Sequence, residues 1–322
     1  MARNHSLDLL RILACLGVIM IHTSGSPIYH HMVESGSLWF DECLVMDILC
    51  RWSVPVFAMI TGFFMLDPVK EISIKTLFTK YLARIVAALV FWSFFYAITL
   101  HRPFYPIGSQ SDHFWYLGML IGLYLSIPIL RIIVLNKLVL KFFCWCWLAL
   151  MTYIFLGKFC RLPFYLEFGV FGEYPGYCLF AYLLKTEYAD KEKSAWPIYL
   201  LGIIGLLVTV FVGLRIQSEH SPFYSYSSPN VIFTSLALFL AFVRNPFSLR
   251  GRMAVWIETV SRCTFGIYLI HLWLLTHLFT RIYRFVPWPI PLSIISVGVV
   301  FCLGFAITWT VKQIPILNKY IV

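Results

Sequence analysis

The chain is divided into long apolar stretches by short segments that are rich in charged residues. A helix rises about 1.5 Å per residue, so about 20 apolar residues cross the roughly 30 Å hydrocarbon layer of a membrane. Ten stretches come close to this length. We therefore predict ten transmembrane helices, at residues 6–24, 44–66, 81–100, 115–135, 139–158, 168–185, 196–214, 228–244, 261–280 and 290–311.

The composition is typical of an integral membrane protein. The residues are 60% hydrophobic and 12% charged, whereas soluble domains carry about 25% charged residues. The sequence has no repeat of fixed period and no long polar segment that would form a second domain. No small-residue cleavage site follows the first apolar stretch, so we expect it to be retained as a helix. These features predict an all-α polytopic membrane protein with a single domain over residues 1–322.

The distribution of basic residues predicts the orientation in the membrane. The formal net charge is +10, but Lys and Arg occur in short runs between apolar stretches, so we do not expect nucleic-acid binding. If ten helices cross alternately, 18 of the 25 Lys and Arg residues lie on the side of the N-terminus. Cytoplasmic segments of membrane proteins carry such an excess. We therefore predict that both termini are cytoplasmic.

The nine cysteines indicate neither a metal site nor a disulfide framework. Their number is odd, most of them lie within apolar stretches, and neither C-x-x-C nor HExxH occurs in the chain. We therefore predict no bound metal.

Three ionisable residues, Asp8, Arg11 and His22, interrupt the first predicted helix. Arg11 and His22 are eleven positions apart, so they share a helix face and lie about 16 Å apart along the axis. A charged side chain in a bilayer costs several kcal/mol unless it faces a protein interior or a watery cavity. We therefore expect this face to point inward, where Arg11 suits a phosphate group and His22 suits proton transfer near neutral pH.

Each of these residues also has a structural interpretation. His22 alone would serve as a hydrogen-bonding group between helices. Arg11 would serve as an interfacial anchor that is paired with Asp8 one turn earlier. The sequence alone leaves both alternatives open.

The second predicted helix carries Asp47 and Arg51, whose spacing of four residues allows an ion pair. Pro55 and Gly62 follow in the same helix and indicate bending and a close helix contact, as in helices that line a cavity. A purely structural ion pair is the alternative interpretation.

Further candidates lie at the start of the fourth predicted helix and in the middle of the ninth. His113, Trp115 and Tyr116 lie at the fourth helix, although an interfacial aromatic belt would supply the same residues and is the favoured interpretation of Trp115. His271 has the same two interpretations as His22. The predicted outer segment 218–230 is rich in hydroxyl and aromatic side chains, which suit either sugar hydroxyls or plain solvation.

Four segments resemble, in the same order, the motifs of the acyltransferase-3 family of multi-pass membrane acyltransferases. LDLLRILACLGVIMIH and RWSVPVFAMITGFFM are similar to its first-helix and second-helix motifs. FWYLGMLIGLYLSIPIL and SRCTFGIYLIHLWLL are similar to its later motifs. The likeness is greatest to the short bacterial O-acetyltransferases of the family, whose acceptors include enterobacterial common antigen.

The resemblance implies transfer of an acetyl group from cytoplasmic acetyl-CoA, used as a donor and not as a bound cofactor. The acceptor would be a hydroxyl of a cell-surface glycan or lipid-linked saccharide, and the location a bacterial cytoplasmic membrane. His22 would be the essential histidine and Arg11 the motif arginine, with Asp8 beside it. The residues expected on the acceptor side are Arg51, His113, Trp115 and His271.

A transporter or flippase for a polar metabolite is the main rival interpretation. Such proteins typically contain inverted repeats or paired broken helices, and the sequence shows neither. A sensory or scaffold protein is disfavoured by the four motifs. The sequence does not specify the acceptor, the length of the acyl group or the oligomeric state.

Overall fold

The computed structural model describes residues 3–29, 33–101, 104, 113–162, 172–218, 221–285 and 288–322. Every regular element in these ranges is helical. A π-helical turn (Leu77–Leu82) joins α4 to α5, and a 3-10 turn (Pro222–Tyr224) precedes α10. The α-helices are α1 (His5–Tyr29), α2 (Leu38–Cys50), α3 (Ser53–Met65), α4 (Ile74–Thr76), α5 (Ala83–Thr99), α6 (Trp115–Ile133), α7 (Lys137–Phe159), α8 (Glu173–Tyr188), α9 (Trp196–Ile216), α10 (Pro229–Arg244), α11 (Gly251–Phe285), α12 (Pro289–Val311) and α13 (Pro315–Tyr320).

The predicted all-α membrane fold is confirmed. In the described ranges, nine helical segments are long and apolar enough to cross a membrane. The exception among the ten predicted helices is the sixth, at 168–185. It corresponds to α8, which has 16 described residues and is mostly buried against its neighbours; residues 163–171 lie outside the described part of the chain.

The second predicted helix, 44–66, is divided into α2 and α3 at Arg51 and Trp52. Pro55 explains the position of this break. Its nitrogen has no hydrogen to donate to the Arg51 carbonyl four residues earlier, and its ring crowds that carbonyl. Arg51 therefore lies at a helix end within the membrane-spanning segment.

The ninth predicted helix, 261–280, is longer than expected, because α11 has 35 residues. Its first turns contain Arg252 and Glu258, and its last turn contains Arg284. Charged residues lower the local hydropathy, so the hydrophobic pattern marks only the middle of this helix.

Helix α1 lies in the centre of the bundle, where it contacts α2, α3, α10, α11 and α12. Leu7, Leu10 and Ile19 are fully buried. A central position is what the polar residues of this helix require, since the surrounding helices separate them from lipid.

Contacts made by the start of α1 define one end of the bundle, which we call the basic end. The Ser6 hydroxyl donates to the Asn245 carbonyl, and the Lys191 ammonium donates to the Asn245 side chain. Arg131 lies at the same end of the chain's helices and donates to backbone carbonyls of the 65–70 segment. The segment after α1, including Ser35, lies at the opposite end.

Helices α3 and α8 approach closely at Gly62. A Cβ atom at this position would lie 2.4 Å from the Cα of Cys178 and 2.6 Å from its carbonyl oxygen. The Cys178 thiol donates to the Ala58 carbonyl one turn away, at 3.1 Å. The close contact predicted for Gly62 is therefore confirmed.

We predict that the basic end is cytoplasmic. A membrane-impermeant thiol reagent should label Ser35→Cys in intact cells but should label Lys191→Cys only after the cells are permeabilised, because basic segments remain inside. The parent chain, with its nine native cysteines, is labelled in parallel as the background. Labelling of Lys191→Cys in intact cells would contradict the orientation.

We also predict that Gly62→Ala destabilises the protein by about 1–3 kcal/mol, because the added methyl group overlaps backbone that cannot easily move. Gly118→Ala on α6 is the matched control, since a Cβ there meets no atom within 4 Å. Thermal unfolding in detergent compares the two variants. Equal melting temperatures would show that α8 moves away from α3 without cost.

Candidate active site

Asp8 anchors a polar network between the start of α1 and Ser261, about three turns into α11. Its Oδ1 accepts the Ser261 hydroxyl at 2.7 Å and the Arg11 Nη1 at 3.3 Å, and its Oδ2 accepts the Arg3 Nε at 2.7 Å. Arg11 Nη1 also donates to the Ser261 hydroxyl at 3.1 Å. The predicted pairing of Asp8 with Arg11 is confirmed, and Ser261 adds a link to α11 that the sequence did not specify.

A cavity of about 570 Å³, which we call the basic cavity, opens beside Arg11. No described acidic residue lines it. Its walls between the cations are apolar and aromatic, and include the stacked rings of Tyr81 and Tyr124, 5.9 Å apart. The cationic lining residues are Arg11, Lys70, Arg84, Arg262 and Lys312.

Positive charge in the basic cavity is only partly neutralised. Among the described residues, Lys70 and Lys312 have no ion pair with a carboxylate, and the Arg84 guanidinium donates to the backbone oxygen of Val322 and has no ion pair with an Asp or Glu side chain. Burial lowers the pKa of the Lys312 ammonium group, and the nearby Arg84 guanidinium lowers it further. Such an excess of cations favours an anionic ligand, because a bound anion relieves their mutual repulsion.

A second cavity, of about 460 Å³, contains His22 in its lining and is mainly aromatic. We call it the aromatic cavity. The Trp115 ring stacks with Tyr226 at a centroid distance of 6.0 Å, and lies 6.0 Å from the Tyr174 ring. Glu173 supplies a carboxylate to the same lining.

Arg51 lines the aromatic cavity while it remains paired with Asp47. Its Nε donates to Asp47 Oδ2 at 2.7 Å, and its Nη2 lies 2.5 Å from the same oxygen. Asp47 is buried on α2, so the predicted ion pair is confirmed. The pair holds a guanidinium group at the cavity through the break between α2 and α3.

His22, His113 and His271 form a cluster of imidazole rings. The His22 and His271 centroids are 5.1 Å apart, as are those of His113 and His271, and His22 and His113 are 6.5 Å apart. His113 and His271 are buried, and neither lines either cavity. In the described ranges, no group of His, Cys, Asp or Glu has the arrangement of a metal site.

Backbone carbonyls fix the tautomers of the two buried histidines. His113 Nε2 lies 3.3 Å from the Leu269 carbonyl, and His271 Nδ1 lies 2.5 Å from the Tyr268 carbonyl. A carbonyl only accepts, so each contacting nitrogen carries a proton. In the neutral rings, the remaining nitrogens are therefore acceptors, and His271 Nε2 has no hydrogen-bond partner among the described residues.

Tyr96 of α5 shapes the backbone of α11 beside His271. Its hydroxyl donates to the Leu269 carbonyl at 3.1 Å and accepts the Trp273 amide at 2.9 Å. A regular α-helix pairs these two backbone groups with each other, so the Tyr96 hydroxyl contacts both members of one backbone pair of α11. No local sequence signal indicates this contact, which joins residues 173 positions apart.

Tyr116 and Tyr268 line both cavities. Their ring centroids are 5.0 Å apart, and the Tyr268 hydroxyl donates to the His113 carbonyl. We call this pair of rings the shared wall. It separates the cavity that contains Arg11 from the cavity that contains His22.

The acyltransferase-3 family model, described as an acyltransferase domain, matches residues 4–311. The chain belongs to the acyltransferase-3 family. The match spans nearly the whole chain, and it includes both cavities except for Lys312. No curated relative and no solved structure matches the chain. The protein is therefore a multi-pass membrane acyltransferase, which needs an acyl donor and an acceptor.

The seven site residues predicted for this acyltransferase fall into three places in the structure. Two lie in or beside the basic cavity, three line the aromatic cavity, and two lie behind His22 without lining a cavity. Arg11 and Asp8 are the two at the basic cavity, and His22, Arg51 and Trp115 are the three that line the aromatic cavity. His113 and His271 are the two behind His22.

Several lining residues were not identified from the sequence. Ser261 and Tyr268 lie within the SRCTFGIYLIHLWLL motif, so motif membership was the available signal. Tyr226 lies in the outer segment that is rich in hydroxyl and aromatic groups. Glu173 had no such signal.

Proposed function

We propose that this acyltransferase transfers an acetyl group from acetyl-CoA to a hydroxyl of a glycan or lipid-linked saccharide. Its main support is that Arg11 and His22, on one helix, line two cavities that meet at a shared wall. Two substrates can therefore bind at once. The excess of basic residues on the side of Arg11 supports a cytoplasmic donor, and the resemblance to short bacterial O-acetyltransferases supports a bacterial cytoplasmic membrane.

The chemistry of the basic cavity supports an acyl-CoA as the donor. CoA carries several phosphate groups and a long, flexible arm that ends in the thioester. Guanidinium groups such as those of Arg11 and Arg84 bind phosphate oxygens through paired N–H donors. The aromatic and apolar parts of the same lining suit the arm.

The chemistry of the aromatic cavity supports a saccharide acceptor. A sugar ring has apolar C–H faces that pack on aromatic side chains, here Trp115, Tyr174 and Tyr226. Its hydroxyl groups suit the charged donors and acceptors of Arg51 and Glu173. An aromatic cavity with a few charged groups in its lining is less suited to a purely hydrophobic acceptor.

In the proposed reaction, His22 accepts the proton of the acceptor hydroxyl as the oxygen attacks the thioester carbonyl carbon. A C–O bond forms, the C–S bond breaks, and the thiolate of CoA leaves and takes up one proton. The acceptor loses a proton and the thiolate gains one, so no net proton is consumed. His113 and His271 act through His22, since they lie against its ring and outside the cavities.

We predict that Arg11→Ala impairs the binding of acetyl-CoA, whereas His22→Ala impairs the transfer step. Loss of the Arg11 guanidinium should weaken acetyl-CoA binding by about ten- to a hundredfold, because a charge-assisted bond contributes about 1.5–3 kcal/mol. His22→Ala should leave binding nearly intact and slow transfer by about 10²- to 10⁴-fold, as expected for loss of a general base. Isothermal titration in detergent and a cellular acetylation assay measure the two effects.

Two variants serve as controls in these measurements. Arg51→Leu, in the aromatic cavity, should bind acetyl-CoA as the parent protein does. His277→Ala removes an exposed histidine of α11 that lines neither cavity, and it should retain transfer. If His22→Ala retains near-parental transfer, His22 is a structural hydrogen-bonding group. If Arg51→Leu loses donor binding as Arg11→Ala does, the two cavities form a single site.

We also predict that cells with the protein carry glycans or lipid-linked saccharides that are heavier by the mass of an acetyl group than those of cells without it. Mass spectrometry of both fractions, with cells expressing His22→Ala as the matched control, tests this expectation. An unacetylated saccharide whose export depends on the protein would instead favour a transporter.

A further inference from the structure

The shared wall is the feature that an acyl group must pass. Within the described residues, only Tyr116 and Tyr268 line both the basic cavity and the aromatic cavity. If the donor binds near Arg11 and the acceptor near His22, the acyl carbon meets the acceptor oxygen at the shared wall. The space left beside these two rings therefore limits the group that reacts.

The two tyrosines are held differently. The Tyr268 hydroxyl donates to the His113 carbonyl, which ties its ring to the histidine cluster. The Tyr116 hydroxyl makes no hydrogen bond to any described residue. The Tyr116 ring is held by packing, with centroid distances of 5.0 Å to Tyr268, 6.3 Å to Phe57 and 6.1 Å to Trp115.

We infer that Tyr116 determines the length of the acyl group that this enzyme transfers. The inference rests on the proposed function and makes it more specific. Two aromatic rings at a 5.0 Å centroid separation pack against each other, so an acyl group that reaches the acceptor has to pass at their edges. Each further methylene group of a longer acyl chain has to displace the Tyr116 ring, which is buried among other rings.

Tyr116 is a better position for this test than Tyr268. Removal of the Tyr268 ring also removes the hydrogen bond to the His113 carbonyl, so it would disturb the cluster around His22. Removal of the Tyr116 ring enlarges the opening between the cavities and breaks no hydrogen bond to a described residue. Its main effect is therefore on the space available to the acyl chain.

The experiment uses inverted membrane vesicles from cells that express the full chain, with the glycans and lipids of those membranes as acceptors. Radiolabelled acetyl-CoA or butyryl-CoA is added, and label in the saccharide fraction is measured. We expect acetyl transfer to exceed butyryl transfer in the parent protein. Tyr116→Ala should raise the ratio of butyryl to acetyl transfer about tenfold or more, since pockets discriminate single methylene groups by about this factor.

Two variants distinguish acyl selection from a general effect on the donor site. Tyr116→Phe keeps the ring and should keep the parental ratio. Tyr81→Ala changes only the lining of the basic cavity, so it should affect both donors alike without changing the ratio. Tyr116→Leu replaces the alanine variant if thermal unfolding shows that the latter is unstable.

The outcomes separate this inference from the function on which it rests. An unchanged ratio in folded Tyr116→Ala or Tyr116→Leu, or an equal change in Tyr81→Ala, would overturn the role of Tyr116 while acetyl transfer by the parent protein persists. Absence of label from either donor with the parent protein, relative to vesicles without it, would overturn the proposed acetyl transfer itself.

Discussion

A bilayer penalises a charge that faces lipid by several kcal/mol, and this penalty determines where α1 lies. Asp8, Arg11 and His22 occupy a helix that is otherwise mostly apolar, so the other helices surround it. Asp8 then holds Arg11 and Ser261 together, which joins the start of α1 to α11. Both cavities follow from this arrangement, because each opens beside one polar residue of the same helix.

Hydropathy predicted the helices well wherever burial in lipid alone decides the sequence. Hydropathy was less accurate where a proline, charged residues or burial in protein also determines the extent of a helix. Pro55 was recognised as a source of bending, but its missing N–H divides the segment into α2 and α3 at Arg51. The first turns of α11 carry charged residues at the basic end, so an apolar pattern cannot reveal them. Helix α8 is mostly buried among its neighbours, and a mostly buried helix has no need to match the thickness of the membrane.

Helical periodicity also predicted part of the site. It placed Arg11 and His22 on one face about three turns apart, and they line different cavities. Contacts between distant segments were not accessible in this way. Ser261 meets Asp8 across 253 positions, and the Tyr96 hydroxyl contacts two backbone groups of α11. His113 and His271 were expected on the acceptor side, but they lie against the His22 ring and line neither cavity. The sequence could not show this, because their hydrogen-bond partners are backbone carbonyls, which leave no pattern of side chains.

The local pairing of Asp8 with Arg11 has a consequence for how the protein is made. Helices enter the membrane in the order of synthesis, and Ser261 is translated some tens of seconds after Asp8 at about 5 to 20 residues per second. During that interval α1 has no partner on α11. Arg3, just before α1, and Arg11, one turn after Asp8, are close enough in sequence to neutralise Asp8 without any other helix, so the first helix can enter the bilayer before the helix that completes its network exists.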